Sequence, residues 1–284
     1  MKNELGDRMK MLEGQESDRR FMPLVPVCAR LDGKNFSKFT RGLQRPFDIN
    51  FANLMKDTTK YLVSETNALI GYTQSDEISL VYFSDDVKSQ IFFDGRIQKM
   101  CSVLASMCTI YFNRLIQDMQ ICHVDIPKSV TDIWMKKRQL MPIFDCRVWT
   151  VPNQMEACNT LLWREADCLK NSITMAAREY FSDKELFRKN SSEKQEMLHQ
   201  KGVNWNDYPA FFKRGTFFQR RKVVRAFTAN ELAVLPEKHE ARKNPNLMVE
   251  RTEVWELPMP PFNQVTNRIG VVFNGEDPVE EKKA

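Results

Sequence analysis

Histidine is scarce in this 284-residue chain, which has only three: His123, His199 and His239, far apart and without ligand spacing. That scarcity argues against a zinc site and against a histidine-driven nucleophilic triad, so any metal chemistry falls to carboxylates. C-x-x-C pairs are missing among the seven cysteines, which are Cys28, Cys101, Cys108, Cys122, Cys146, Cys158 and Cys168. Most of them sit inside apolar runs and read as buried reduced thiols, which suits a cytoplasmic protein. No apolar run approaches the roughly 18 residues of a membrane span, and the polar opening MKNELGDRMK lacks the apolar centre of a secretory signal. No membrane partner is expected. Neither sign of charge dominates, with 42 Lys+Arg against 37 Asp+Glu, so a polyanion would have to meet a local basic patch. The 42% apolar content is ample for one large or two modest folded units.

Periodicity outlines the elements. Leu5, Met9 and Leu12 stand at helical spacing within Asn3 to Gly14, the pattern of a short packing helix. Leu24 to Leu31 alternates, with Val27, Ala29 and Leu31 on one face and Cys28, Arg30 and Asp32 on the other. Pro26 supplies no amide hydrogen, so pairing there begins late or runs along an edge. A helix follows over Asp48 to Leu69 with a stripe of Phe51, Leu54, Met55, Thr58, Leu62 and Val63. Then comes a hairpin, Ala68 to Thr73 and Glu77 to Phe83, tipped by Gln74-Ser75-Asp76. A long helix from Asp94 to about Met119 presents Ile97, Met100, Leu104, Met107, Tyr111 and Leu115, and a strand at Ile143 to Trp149 closes this part. That order suits an antiparallel sheet backed by helices.

Beyond Pro152 a helix runs to about Phe181 with a stripe of Met155, Cys158, Leu162, Leu169 and Ile173, and Ser192-x-x-Gln195 reads as a capping box for a helix ended by Gly202. Asn204 to Pro209 is turn chemistry, Thr216 to Phe227 is strand-like, and Gly275 to Ala284 reads as a frayed tail. The expected fold is α+β, with a palm-like region over residues 1–150 and a helix-rich region over 151–284 carrying a basic strand segment.

The chemistry concentrates at two places in the first region. A strand ending in Asp32 and a hairpin tip carrying Asp76 and Glu77, on elements of one sheet, are what two-magnesium phosphoryl chemistry requires: hard cations take oxygen ligands, and a pair of ions holds the attacking and leaving oxygens together. Gly33 lets its carbonyl serve as a third ligand, while Glu77 alternates away from Asp76 and buttresses the site. Taken singly, D-G is a common turn and an acidic hairpin tip is commonly just solvated. Arg96 and Lys99, spaced i and i+3 at a helix start, form a clamp for a triphosphate, or else solvated surface charge. A second cationic stretch, Lys213, Arg214, Arg220, Arg221, Lys222 and Arg225, surrounds Phe217 and Phe218 with no acidic residue among them. Its cations would meet phosphates and its aromatics unpaired bases, or its two faces divide between core and solvent.

The blocks Arg30-Leu31-Asp32-Gly33-Lys34-Asn35-Phe36, Gly71-Tyr72-Thr73-Gln74-Ser75-Asp76-Glu77 and Arg96-x-x-Lys99 resemble the tRNA(His) guanylyltransferase superfamily. The likeness continues through Phe144 to Val148, Trp163 to Cys168 and Asn204 to Thr216. It implies a polymerase-like palm that runs backwards, adding nucleotides to the 5′ end of tRNA. The 5′-monophosphate is first activated by ATP or GTP, and the 3′-hydroxyl of an incoming GTP then attacks it. It further implies that Asp32, Gly33 and Asp76 hold two magnesium ions. Asp32, Gly33, Lys34, Asn35, Phe36 and Ser37, together with Ser75 and Asp76, border the nucleotide, and Arg96 and Lys99 meet its triphosphate. tRNA contacts fall at Asn171 and the Lys213 to Arg225 stretch, and the assembly is a homotetramer.

Three departures bear on the branch. Where the eukaryotic enzymes carry H-I-N-N-L-Y-N, this chain has Leu169 to Met175, in which Asn171 matches. A family histidine is Ser37 here, and a family lysine is Arg45. The Asn-Ser-Ile pattern resembles instead the guanylyltransferase-like proteins that repair 5′-truncated tRNA by templated addition. The alternatives are a strict tRNA(His) guanylyltransferase, a nucleotidyl cyclase needing no RNA surface, and a non-catalytic RNA-binding protein with a decayed palm.

Overall fold

The computed structural model describes residues 4–119, 128–244 and 246–281. Cys122, His123 and the last three residues of the expected tail lie outside these. Its centre is a six-stranded sheet in the order β4-β1-β3-β2-β5-β6, built from β1 (Val27–Gly33), β2 (Ile70–Gln74), β3 (Glu77–Tyr82), β4 (Phe144–Thr150), β5 (Thr216–Ala226) and β6 (Met248–Leu257). Every neighbouring pair is antiparallel.

Helix α1 (Glu4–Ser17) buries none of its residues, and Leu5, Met9 and Leu12 are exposed; among the described residues the packing expected of it is not made. β1 begins directly after Pro26 and lies inside the sheet, so the proline delays pairing rather than marking an edge. Its Val27, Ala29 and Leu31 enter a core shared with α2 (Phe36–Phe39), α3 (Ile49–Thr66) and α4 (Ile97–Asp118). α3 starts where the carboxylate of Asp48 accepts the amides of Asn50 and Phe51, each at 3.0 Å, which satisfies two orphan donors of the first turn. All six residues of its expected stripe are buried.

On α4 the buried stripe is Met100, Leu104, Cys108, Phe112, Asn113 and Ile116. Met107, Tyr111 and Leu115 are only half-buried, because the helix turns its Cys108–Phe112 side to the sheet. After α5 (Lys128–Lys137), β4 forms the sheet edge. The opposite face of the sheet carries α6 (Gln154–Ala177), whose Ala157, Cys158 and Leu161 pack with Cys28, Tyr72, Val81 and Phe217.

α6 ends at Ala177 rather than near Phe181, and Met155 of its expected stripe is exposed, since it faces out from the first turn. Its last turns join α7 (Asp183–Leu186), α8 (Ser191–Gln200) and α9 (Ala210–Arg214) in a third apolar cluster. The capping box of α8 is Asn190 with Glu193, two residues before the expected pair, because the Glu193 carboxylate reaches back to the Asn190 amide at 2.8 Å. β5 and β6 extend the same sheet as β1–β4, so a single sheet draws on both halves of the chain. The tail is held as far as Glu281: Thr266 donates to the Val279 carbonyl at 2.9 Å and Glu281 to the Gln264 carbonyl at 2.9 Å. These backbone bonds replace the fraying expected from the composition.

Candidate active site

β1 and β3 meet with Asp32 opposite Glu77, and the Gly33 amide donates to the Asp76 carbonyl at 3.1 Å. The tight Ser75-Asp76 turn, with Ser75 at φ 49°, sets Asp76 beside the end of β1. Burial pushes its carboxyl up to about 6. The charges of Asp32 and Glu77 add to the rise, against hydrogen bonds from its own amide and from the Ser75 hydroxyl at 3.1 Å. Asp32 and Asp76, remote in sequence, are therefore brought to adjoining strand ends at one end of the sheet.

Glu77 faces α6, not Asp76. Its two oxygens accept from Nε and Nη2 of Arg164 at 2.6 and 2.8 Å, and both side chains are under a tenth exposed. Arg164 also reaches Asp167 at 3.0 Å, and Arg30 approaches Glu77 at 3.9 Å. The buttress expected of Glu77 thus has a named partner. Sequence reasoning gives Arg164 no role of its own; its signal is an arginine between Leu161 and Cys168 on the buried side of α6.

Asp32, Asp76 and the Gly33 carbonyl form an all-oxygen donor set, the chemistry magnesium prefers. Among the described residues no group of three or more His, Cys, Asp or Glu side chains gathers for a metal. Magnesium here would complete its shell with backbone oxygen, water and substrate phosphate, which is its ordinary habit. A Cβ on Gly33 would lie 2.3 Å from the Phe36 ring, so the backbone lies close over that ring and only glycine fits. By the chemistry of their oxygen donors these residues suit a magnesium ion.

The remaining expected residues separate. Lys34, Asn35 and Ser37 are exposed beside Asp32, with Asn35 left-handed at φ 57°. Phe36 is only 2% exposed, and its ring packs on Phe39, Phe51, Phe112 and Phe144; its side chain belongs to the core and is closed to a nucleotide. Ser75 and Asn171 line one cavity of about 300 Å³ between α3 and α6. Arg96 and Lys99 line another recess, which includes Asp145, the register partner of Asp32 on β4, but not Asp32 or Asp76. The Nε of Arg96 is buried there without a hydrogen-bond partner.

The basic strand is less free than its sequence suggests. Phe217 and Phe218 are buried on opposite faces of β5, out of reach of bases. Arg221 pairs with Asp277 at 2.7 Å, Lys222 with Glu250 at 3.0 Å, and Arg225 with Glu231 and Glu253. Lys213 is bonded to the Asn206 carbonyl, the Arg214 carbonyl accepts from the Tyr72 hydroxyl at 2.9 Å, and burial lowers the Arg220 guanidinium. Acids from β6 and from beyond it neutralise much of the stretch.

An antiparallel sheet with two helices on one face and carboxylates at adjoining strand ends is the architecture of a palm-type nucleotidyltransferase. The tRNA(His) guanylyltransferase (Thg1) family model matches residues 6–152. A bacterial guanylyltransferase-like protein solved in complex with ATP is 34% identical at a TM-score of 0.66, covering 76% of this chain and 88% of that one. One solved with GTP is 28% identical at a TM-score of 0.67, covering 92% and 94%. The tRNA(His) guanylyltransferase of Schizosaccharomyces pombe is 27% identical over 234 residues, 76% of this chain and 81% of the relative. The chain belongs to the tRNA(His) guanylyltransferase family and is an enzyme of that nucleotidyltransferase type.

Proposed function

We propose that the protein is a magnesium-dependent nucleotidyltransferase that extends the 5′ end of tRNA in the 3′-to-5′ direction, with templated repair of 5′-truncated tRNA as its task. The observation that carries this is geometric: the Gly33 amide donates to the Asp76 carbonyl at 3.1 Å, which brings the Asp32-Gly33 end of β1 beside Asp76. Bound magnesium supplies charge neutralisation and alignment for phosphoryl transfer. Asp32, Asp76 and the Gly33 carbonyl hold it, while the Arg164–Glu77 pair keeps the hairpin in place behind them. Lys34, Asn35, Ser37 and Ser75 border the nucleotide, and Arg96 and Lys99 receive its triphosphate.

The 5′-monophosphate of the tRNA attacks the α-phosphorus of ATP or GTP and releases pyrophosphate, and the 3′-hydroxyl of the incoming nucleotide then attacks the activated 5′ phosphate and releases the nucleoside monophosphate. The complexes of bacterial relatives with ATP and with GTP support both as substrates. A cytoplasmic tetramer fits the family and the reduced thiols, and among the described residues no helix is long and apolar enough to cross a membrane. The strict tRNA(His) reading keeps the support of relatives that bear that name. Offering the protein Mg²⁺, ATP and each NTP with full-length and 5′-shortened tRNAs, then mapping the added residues, separates the two. Repair predicts templated addition to several shortened tRNAs; a single guanosine added only to tRNA(His) would reverse the choice.

A further inference from the structure

Trp163 is 54% exposed on α6 and belongs to none of the three apolar clusters of the described residues. Its ring lies against two guanidiniums, Arg164 at 4.5 Å and Arg30 at 5.7 Å from the centroid. Arg30 stands two residues before Asp32 on β1, so strand alternation puts both on the sheet face that α6 covers. Its Nε is buried and has no hydrogen-bond partner. The register partner of Arg30 on edge strand β4 is Arg147, more than half exposed and, among the described residues, in a 3.7 Å contact with Asp145.

From this juxtaposition we infer that Trp163 is a stacking platform for the unpaired terminal nucleotide of the RNA strand, with Arg147 receiving the adjacent phosphate. The inference rests on the tRNA reading above and adds to it the surface the RNA uses. An indole more than half exposed, with guanidiniums over its ring, suits a nucleobase, whose π-system stacks on it whatever the base, while the neighbouring phosphate is drawn to Arg147. Sequence-tolerant stacking also matches a strand end whose identity varies from one tRNA to another. The exposed positive charge of Arg147 argues for a polyanion over a second protein surface. Arg96, the N-cap of α4, and Lys99 on that helix line a recess that does not include Trp163, so a triphosphate held there leaves the indole open.

The test measures the Kd of 5′-monophosphorylated, 5′-shortened tRNA, and separately that of GTP, for the wild type, Trp163→Ala and Trp163→Phe. Sedimentation and wild-type turnover are followed alongside. Losing one stacked base should weaken tRNA binding by about tenfold in Trp163→Ala, leave GTP binding unchanged, and be largely restored by Trp163→Phe. Unchanged tRNA affinity in Trp163→Ala overturns the platform, even where the wild type transfers nucleotides normally. Equal losses for tRNA and GTP reveal a folding defect in place of a stacking contact and also overturn it. A changed oligomeric state with intact RNA affinity makes the face a protein interface. A wild type that binds no tRNA defeats this inference and the proposed function together, whereas one that binds tRNA through Trp163 but transfers nothing defeats only the latter.

Discussion

Arg164 grips both oxygens of Glu77, at 2.6 and 2.8 Å, and so joins the middle of α6 to the first residue of β3. Because Glu77 follows Asp76, this buried pair anchors the turn on which the active-site carboxylate sits. The two charges are desolvated together and compensate each other; neither would be tolerated alone.

Removing one partner should therefore cost far more than a surface pair would. Arg164→Ala should lower stability by about 3 kcal/mol in urea unfolding, and pairing Arg164→Met with Glu77→Leu should recover most of it. A loss below about 1 kcal/mol, the range of exposed pairs, would show that the ion pair does not anchor the hairpin.

Glu165 offers a pH test away from the metal ligands. Burial pushes its carboxyl from the ordinary 4.5 up to about 7, against the Phe262 amide it accepts at 2.9 Å and the charge of Arg214. The folded state thus binds the proton more tightly than the unfolded chain. The associated stability is fully present below pH 4.5 and is lost as pH rises through 7, on the order of 3 kcal/mol. Urea titrations at pH 4.5 and 8 should show this decline in the wild type and a smaller one in Glu165→Gln. Parallel curves would refute the assignment.

Gly33→Ala places a methyl 2.3 Å from the Phe36 ring. Phe36 is packed among four other rings and cannot yield, so the β1 end must shift. Nucleotide addition should fall at least tenfold while the chain still unfolds cooperatively, with a loss of about 1–3 kcal/mol. Wild-type turnover in this variant would remove the Gly33 backbone from the site.

Arg96→Ala should weaken GTP binding more than tRNA binding, because a triphosphate carries its charge close to one guanidinium and a tRNA spreads it over many contacts. Isothermal titration with each ligand measures the two losses. Equal losses would count against a triphosphate clamp.

The alternation of β1, the stripe of α3 and the acid-tipped hairpin were legible in the sequence because each is set by local periodicity and one buried face. The stripe of α4 was misjudged in part, since apolar residues on two sides of that helix left its rotation to tertiary packing. β6 is not legible in the sequence because four charged residues, the exposed Glu250 and Glu256 and the half-buried Arg251 and Glu253, mask its alternation. The basic stretch looked unneutralised because its partners lie far along the chain: Glu253 is 28 residues from Arg225, and Asp277 is 56 from Arg221. The sequence places Asp32 and Asp76 at the ends of neighbouring elements, but the contact of Arg164 with Glu77 spans 87 positions and has no local signal.

The most direct measurement of the central claim follows labelled GTP onto 5′-monophosphorylated tRNA with Mg²⁺ and with EDTA, for the wild type and Asp76→Asn. Wild-type protein should place the label at the RNA 5′ end only when magnesium is present, and Asp76→Asn, folded by circular dichroism and unfolding midpoint, should place none. Transfer surviving in Asp76→Asn, or a wild type that turns GTP into a cyclic nucleotide and leaves the tRNA unlabelled, would contradict it.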